Sequence, residues 1–281
     1  MKYIVYNPQC NNKKGEEHAY ALKEKLVNAE VADATGLNYK QFLTYLSADD
    51  EVYLVGGDGT ISRLINELED AEIQAKLYCY PSGTGNDFAM DVNYGKEKTE
   101  EFILLNDYIK NLPTVTVNGM TKKFINGVGF GLDGMCCQIG DEKRENNVKN
   151  INYASIAVNQ LLFKFRKKKA TVTVDGKKYE FDNVWIAPTM KGRFYGGGMM
   201  VAPAQDRFNP DKNVTTVLFF GKSRLATLIV FPKIFKGEHV NHKKRVATLT
   251  GKEITVEFNE PTALQIDGET VKNVKFYTVK A

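Results

Sequence analysis

Two glycine-rich loops hold the residues of this 281-residue sequence whose types and spacing are best suited to chemistry. The first, Gly56–Thr60, reads Gly-Gly-Asp-Gly-Thr and follows the short apolar run Val52–Val55. Glycines let a backbone approach a ligand closely, and a helix that begins near Thr60 would offer unpaired amides and a positive dipole to phosphate oxygens. A carboxylate among such amides favours a cation, so Asp58 is predicted to meet Mg²⁺ directly or through water. The alternative is a plain tight turn in which Asp58 makes a local hydrogen bond.

The second loop, Pro81–Asp87, reads Pro-Ser-Gly-Thr-Gly-Asn-Asp and follows the strand-like run Leu77–Tyr80. As a simple connection it would be an unusually polar loop with a helix N-cap at Asn86 or Asp87. The sequence lacks the pattern Gly-x-x-x-x-Gly-Lys-Ser/Thr, which excludes the lysine-bearing P-loop. Both loops follow predicted strands, and parallel sheets bind ligands at the carboxyl ends of their strands.

The elements that must position these loops change in character near Thr114. Before it, strand-like runs such as Lys2–Tyr6 alternate with helical spacing, which favours a parallel sheet covered by helices. After it, alternating runs and Asp-Gly turns, as in Ala170–Phe181, are typical of antiparallel strands. We therefore predict an α/β nucleotide-binding domain over residues 1–118 and an antiparallel β-sandwich over residues 119–281, the last strand being free to return to the first domain.

Composition excludes several classes of protein. With 43% hydrophobic and 26% charged residues the chain resembles an ordinary globular protein, and its longest apolar run, Leu225–Phe231, is too short to span a bilayer. The residues after Met1 enter a strand pattern directly, so no signal peptide is expected. The four cysteines form no Cys-x-x-Cys pair and are interpreted as reduced thiols, which indicates a cytoplasmic protein.

Charge is distributed unevenly along the chain. Residues 1–118 contain 11 Lys and Arg against 19 Asp and Glu, whereas residues 119–281 contain 27 against 15, which gives net charges of −8 and +12. Basic clusters at Lys164–Lys169, after the amphipathic stretch Tyr153–Phe163, and at Lys233–Arg245 predict peripheral association with an anionic membrane surface. A merely solvated face is the alternative. Nucleic acid is not expected as a partner, because no base-reading motif accompanies the charge.

The order of motifs resembles the diacylglycerol kinase catalytic-domain superfamily, which includes sphingosine and ceramide kinases. The two loops above carry the resemblance, together with three later segments: Asn126–Asp133, Tyr195–Met199 and Asp267–Glu269. These five motifs cover most of the chain, and the soluble bacterial enzymes are the most similar group. The resemblance implies ATP in a cleft between an α/β domain and a β-sandwich.

The resemblance also implies roles for individual residues. Asp267–Glu269 would carry the proton acceptor, with Glu269 in that role, so Asp58, Glu269 and Asp267 are the predicted catalytic residues. Asp87 and Asp133 are predicted to bind the acceptor substrate, and Asp58 and Asp211 to bind metal. The predicted nucleotide-binding residues are Asn7, Pro8, Thr35, Gly56, Gly57, Gly59, Thr60, Gly83, Thr84, Gly85 and Asn86. The residue-based alternative for Asp267–Glu269 is an ordinary hairpin turn.

Three segments depart from the family pattern. One is Thr189–Phe194, which stands before Tyr195 where the family often has an asparagine. The first loop has Cys10 and Asn11 where the family usually has serine and glycine, so weaker contacts to phosphate and weaker ATP binding are expected. The acidic segment that holds a structural magnesium in some relatives reads Arg207–Asn213, where Asp211 is the one remaining candidate ligand.

The sequence therefore predicts an ATP- and Mg²⁺-dependent lipid kinase that phosphorylates a lipid hydroxyl, with diacylglycerol as the first candidate acceptor. An enzyme similar to NAD kinases, which share the Gly-Gly-Asp-Gly-Thr loop, is the alternative enzyme. A non-catalytic protein that binds lipid or nucleotide on the same fold is the alternative of a different class. The sequence leaves the acceptor lipid and the formation of a homodimer open.

Overall fold

The computed structural model describes residues 1–146, 148, 156–157 and 159–281, and the chain divides into two compact units, Met1–Leu112 and Pro113–Ala281. The predicted organisation, an α/β domain followed by an antiparallel β domain, is confirmed. No helix within the described ranges is long and apolar enough to cross a membrane.

The first unit is built on a five-stranded sheet in the order β2-β1-β3-β4-β5. Strands β1 to β4 are parallel, and only β5 runs antiparallel to its neighbour. The strands are β1 (Lys2–Tyr6), β2 (Ala29–Asp33), β3 (Glu51–Gly56), β4 (Lys76–Pro81) and β5 (Ile103–Leu104). The helices are α1 (Cys10–Lys13), α2 (Gly15–Lys25), α3 (Tyr39–Tyr45), α4 (Asp58–Leu68) and α5 (Asp87–Asn93).

Helix α4 forms where the helical spacing predicted one. Its apolar residues Ile61, Leu64, Ile65 and Leu68 are all buried, and they lie on one face because they recur every three or four residues. Burial of that face fixes the start of α4 directly after β3. The Gly56–Thr60 loop is thereby held at the end of a strand.

The second unit contains a ten-stranded, mostly antiparallel sheet and a separate two-stranded sheet formed by β12 and β13. Its strands are β6 (Thr114–Val117), β7 (Met120–Lys123), β8 (Gly127–Phe130), β9 (Lys168–Val174), β10 (Lys177–Ile186), β11 (Thr189–Met190), β12 (Phe194–Tyr195), β13 (Met199–Met200), β14 (Val214–Phe220), β15 (Val246–Gly251), β16 (Glu253–Ile266) and β17 (Glu269–Lys280). The helices that are fully described in this unit are α6 (Leu132–Glu145) and α7 (Arg224–Val230), with a π-helical turn at Gln160–Lys164 and 3-10 turns at Phe231–Lys236 and Glu238–Asn241.

Strand β16 links the two ends of the large sheet. Its first half pairs with β9 and its second half with β8, and the register shifts between Glu257 and Thr262. The last strand, β17, pairs with β6 and β16, so it stays in the second unit and does not return to the first. Of the predicted amphipathic stretch Tyr153–Phe163, the part before residue 156 and residue 158 lie outside the described residues.

Candidate active site

In the first unit, four loops meet at one edge of the parallel sheet. Strands β1, β2, β3 and β4 run in the same direction, so their carboxyl ends lie at the same edge. The loops that follow these strands contain every predicted nucleotide-binding residue of the sequence. They are Asn7 and Pro8 after β1, Thr35 after β2, Gly56, Gly57, Gly59 and Thr60 at the end of β3, and Gly83, Thr84, Gly85 and Asn86 after β4.

The glycines of these loops differ in what the absence of a side chain allows. A Cβ atom on Gly57 would lie 2.8 Å from the Cα of Gly83, and one on Gly83 would lie 2.5 Å from the Cα of Gly57. These two glycines therefore allow the loops to pack against each other. At Gly59, in the first turn of α4, a Cβ would meet nothing within 4 Å. The space in front of the Gly59 backbone is therefore open, and ligand approach there stays a prediction.

Asp58 joins the same two loops. Its Oδ2 accepts a hydrogen bond from the amide of Asp87, and its Oδ1 accepts one from the amide of Phe88, both at 2.9 Å. These amides begin α5, so Asp58 caps that helix from a different loop. Asp87 itself is buried at this helix start, and Asn86 closes the loop by accepting a hydrogen bond from the amide of Gly83. Asp58 is therefore more than a local turn residue.

The loop after β1 is attached to both of the others. The Asn7 side-chain amide donates to Thr60 Oγ1 at 3.1 Å, and Cys10 Sγ lies 3.5 Å from Ser82 Oγ. Asn11 adopts a φ of 45°, in the left-handed region that glycine favours and asparagine tolerates. Asn11 therefore has a backbone conformation that a glycine would also adopt readily.

Thr35 and Thr84 lie on the exposed side of this edge. The backbone amide of Thr35 donates to Asp33 Oδ1 at 2.6 Å, which fixes the turn after β2.

Helix α4 has no side-chain cap at its N-terminus. Unpaired amides at such a helix end are suited to phosphate oxygens.

In the second unit, Asp267 is a buried carboxylate with several partners. Its oxygens accept hydrogen bonds from the backbone amides of Ile125, Asn126 and Gly127 at 2.7, 2.9 and 3.0 Å. The carboxylate therefore holds the segment between β7 and β8 in place. This geometry supports a positioning role for Asp267.

Glu269, two residues further on, is accessible. Its side chain is 51% exposed, and Oε2 lies 2.6 Å from Lys122 Nζ. Asp267 and Gly268 form the two-residue turn between β16 and β17, with φ values of 46° and 94°. The hairpin turn predicted as the alternative is therefore present, and it presents Glu269 at the start of β17.

Asp133 has a buried carboxylate whose surroundings disfavour its charged form. It lies in the first turn of α6, and neither oxygen has a hydrogen-bond partner among the residues that the structure describes, although both are inaccessible to solvent. Burial raises the pKa of this carboxyl to about 6, and the nearby Gly134 amide and Tyr195 hydroxyl lower it only in part, since neither makes a well-formed hydrogen bond. Gly129 makes room for the side chain, because a Cβ there would lie 2.1 Å from Asp133 Oδ2.

Two buried cations, neither of which was predicted from the sequence, lie near the segment that Asp267 holds. Arg207 donates to the carbonyl oxygen of Ile125 and to Asn126 Oδ1. Lys191 is also buried, and burial, together with the Arg207 guanidinium, lowers the pKa of its ammonium group. The residue pattern around Lys191 does not indicate that this side chain is buried.

The loop around Asp211 contains no metal-binding cluster. Asn209 closes this loop, since its Oδ1 accepts from the amide of Asn213 at 2.7 Å and its Nδ2 donates to the carbonyl oxygens of Asp206 and Asn213. Asp211 is exposed. No group of three or more His, Cys, Asp or Glu side chains suited to a metal occurs among residues that the structure describes. A metal ion at Asp211 therefore stays a prediction.

Comparisons with known proteins agree with this architecture. Residues 2–117 match the model of the diacylglycerol kinase catalytic domain, and residues 126–278 match that of the YegS C-terminal NAD kinase beta sandwich-like domain. A diacylglycerol kinase from Mycobacterium tuberculosis is 27% identical over 213 residues, which cover 74% of this chain and 67% of the relative.

Solved structures show the same fold. The crystal structure of a diacylglycerol kinase from Bacillus anthracis has a TM-score of 0.64 and 19% identity, covering 99% of this chain and 93% of that one. A yeast NADH kinase reaches a TM-score of only 0.42 at 8% identity, over 100% of this chain and 80% of the other, and supports no argument.

The fold and the two matched domains define a two-domain protein of the lipid kinase class. The chain belongs to the diacylglycerol kinase catalytic-domain superfamily.

Proposed function

We propose that this protein transfers the γ-phosphoryl group of ATP to the hydroxyl of a membrane lipid, with diacylglycerol as the first acceptor to test. The observation that carries the proposal is the joining of the Gly56–Thr60 and Pro81–Asp87 loops by Asp58, beside the open position at Gly59. This arrangement leaves an uncapped helix end and a carboxylate together at the ligand-binding edge of a parallel sheet.

In this proposal the first unit binds the phosphates. The amides at the start of α4 would contact phosphate oxygens, and Gly59 would allow them to come close. Asn7 would keep Thr60 in place through its side-chain hydrogen bond. Phosphoryl transfer depends mainly on such positioning and on electrostatic stabilisation, so a rigid loop edge suits it.

Asp58 is the residue of the first unit that would hold Mg²⁺. Its two oxygens each accept one amide hydrogen bond, and a carboxylate has about four lone-pair sites, so it can still bind a hydrated cation. Mg²⁺ usually keeps several waters and takes only one or two carboxylates plus substrate phosphates. Bound there, it would neutralise charge on the phosphate oxygens.

The second unit would supply the acceptor side of the reaction. Glu269 is an accessible carboxylate that forms an ion pair with Lys122. A carboxylate within hydrogen-bond reach can accept the proton of a lipid hydroxyl as the phosphoryl group transfers. Asp267 would position the segment Ile125–Gly127. Asp133, whose pKa burial raises to about 6, could accept a hydrogen bond from the acceptor when charged or donate one when protonated.

The acceptor remains in a bilayer, so the protein must reach one. The net charge of +12 over residues 119–281 supports adsorption to anionic lipid. Fewer basic side chains are available to bind lipid than the sequence indicated, because Lys168 pairs with Glu260 and Lys167 donates to the carbonyl oxygen of Lys222. Peripheral membrane association is therefore part of the proposal.

The test measures ATP consumption and labelled product with Mg²⁺ and three acceptors side by side: dioleoylglycerol in micelles, NAD and a sphingoid base. We expect a phosphorylated lipid and loss of most activity in Glu269→Gln. Glu101→Gln is the matched control, since Glu101 is 50% exposed and pairs with Lys25 at 2.6 Å. Phosphorylation of NAD alone would replace the proposal by the NAD kinase alternative, and binding without turnover would favour a non-catalytic protein.

A further inference from the structure

Three large apolar side chains are exposed on two neighbouring segments of the second unit. Leu225 and Ile229 of α7 are 70% and 63% exposed, and Phe163 of the π-helical turn is 72% exposed. Leu225 and Ile229 are four residues apart, so they lie on the same face of the helix. We call these three residues, together with Phe235, which is 51% exposed, the apolar face.

Helix α7 packs on its own unit through the side opposite to this face. Thr227 and Val230 are inaccessible, and Leu228 packs against the core cluster that includes Trp185. An α-helix that is apolar on two opposite faces usually buries both of them, whereas α7 buries only one. Large exposed apolar patches with a polar rim mark interaction sites.

The two segments are fastened to each other and to the core. Arg224 donates to the carbonyl oxygens of Leu161 and Phe165, and its guanidinium lies over the ring of Trp185 at 5.2 Å. The indole nitrogen of Trp185 donates to the carbonyl oxygen of Gly221. These contacts hold the two segments that contain the apolar face in place against the core.

The charge around the apolar face identifies its partner. The stretches 160–169 and 222–236 contain nine Lys and Arg and no Asp or Glu. Four of these cations are exposed and make no ion pair with any residue that the structure describes: Lys164, Arg166, Lys222 and Lys236. Apolar side chains surrounded by unpaired cations match a surface with negative charge outside and hydrocarbon beneath.

We infer that the apolar face inserts into the surface of an anionic bilayer, so that this protein binds membranes by insertion as well as by charge. The inference rests on the proposed function, because a kinase whose acceptor stays in the bilayer must meet it. It adds that the apolar face is the surface that meets the bilayer. It also requires that part of the binding free energy persist at high salt.

The experiment measures binding to vesicles of phosphatidylglycerol and phosphatidylcholine at 0.1 M and 1 M salt, where charges are screened over about 10 Å and about 3 Å. Leu225→Ser with Ile229→Ser should lower the partition coefficient about tenfold or more at both salt concentrations, because burial of apolar area is insensitive to screening. Changing Lys164, Arg166, Lys222 and Lys236 to Gln should weaken binding at 0.1 M and have little effect at 1 M.

The matched control is Val27→Ser with Tyr45→Ser, which removes two apolar side chains of the first unit that are 74% and 92% exposed. This variant should bind vesicles as the wild type does. All the changed side chains are exposed, and circular dichroism checks that each variant is folded.

The wild-type protein supplies a second measurement that needs no substitution. Trp185 is the sole tryptophan of the chain and lies directly beneath Arg224. Brominated phosphatidylcholine in the vesicles should quench its fluorescence, because insertion brings lipid chains close to the indole. Quenching should be lost in the Leu225→Ser, Ile229→Ser variant.

Several results would overturn the inference. They are wild-type binding that disappears at 1 M salt, absence of quenching in the wild type, or equal binding by the serine variant. Sedimentation that shows a wild-type dimer separated by the serine substitutions would assign the face to a second copy. The proposed function has a separate readout: phosphorylation of a short-chain soluble lipid tests the kinase, and vesicle binding tests the face.

Discussion

Asp267 and Asp133 are two buried carboxylates of the same unit, and their surroundings are opposite. Asp267 accepts three backbone hydrogen bonds from the segment Ile125–Gly127. Asp133 accepts none of good geometry, and burial raises its pKa to about 6. Both residues belong to motifs of the family, so the sequence alone does not distinguish their roles.

The difference separates structural from chemical use of a buried charge. Amide donors stabilise the charged form of Asp267, which makes it an anchor for the loop between β7 and β8. Asp133 destabilises the folded protein when it is charged, and groups of this kind are concentrated at functional sites. Asp58 lies between the two, since it accepts two amides and is also placed at the ligand-binding edge. The following predictions test this ordering.

The largest effect should come from Asp267→Ala. The substitution would leave three buried amide donors without an acceptor, and breaking such a network costs about 3–5 kcal/mol. Chemical denaturation measures the loss of unfolding free energy. Asp182→Ala is the control, because Asp182 is exposed and its nearest cation is 3.7 Å away. A loss below about 1 kcal/mol for Asp267→Ala would refute the anchor role.

The next largest effect concerns activity. Asp58→Asn keeps one acceptor oxygen for the amides that begin α5 but removes the negative charge. We expect the fold to be kept and the turnover number to fall about 10²–10³-fold, as is typical when a charge-stabilising group is removed. Steady-state kinetics at saturating ATP measures this. Near-normal turnover would leave Asp58 with its capping role alone.

Asp133→Asn should change the pH dependence of stability. In the folded state its pKa is about 6, against about 3.9 in the unfolded chain, so the folded state binds more protons between these values. Stability of the wild type should therefore decrease as the pH rises from about 4 to about 6, by an amount on the order of 2–3 kcal/mol from this group.

The variant lacks this titration, so the difference in unfolding free energy between variant and wild type should grow across that range and then level off. Thermal or chemical denaturation at pH values from 4 to 8 gives the two curves. Parallel curves would mean that Asp133 is paired in solution. A loss of lipid phosphorylation with the gain in stability would identify a residue kept for function.

The smallest stability effect is expected for Glu269→Gln. Its ion pair with Lys122 is exposed, and such pairs contribute about 0–1 kcal/mol. Unfolding free energy should therefore be nearly unchanged while activity falls. A large loss of stability together with a normal turnover number would make Glu269 the structural residue and reverse its place in the comparison.

Much of the candidate site in the first unit could be predicted from sequence. Parallel strands end at the same edge, so the order of strand, Gly-rich loop and helix was sufficient to bring Gly56–Thr60 and Pro81–Asp87 together. The sequence did not indicate the close packing of Gly57 on Gly83, because that contact depends on two loops that meet in the folded chain. Ligand binding at these glycines stays a prediction.

The sequence by itself determined the classes of the two domains, the Asp-Gly turn before Glu269 and the basic character of the second half. These properties depend on local period, turn chemistry and composition, which are written in neighbouring residues. The tertiary structure alone decided which carboxylates are satisfied, which lysines are paired and which apolar residues stay exposed. The partners of Asp267 and Lys168 are far away in the chain, at Ile125–Gly127 and at Glu260. Hydrogen bonds and burial depend on such distant neighbours, so only the folded chain distinguishes Asp133 from Asp267 and leaves Leu225 and Ile229 facing solvent.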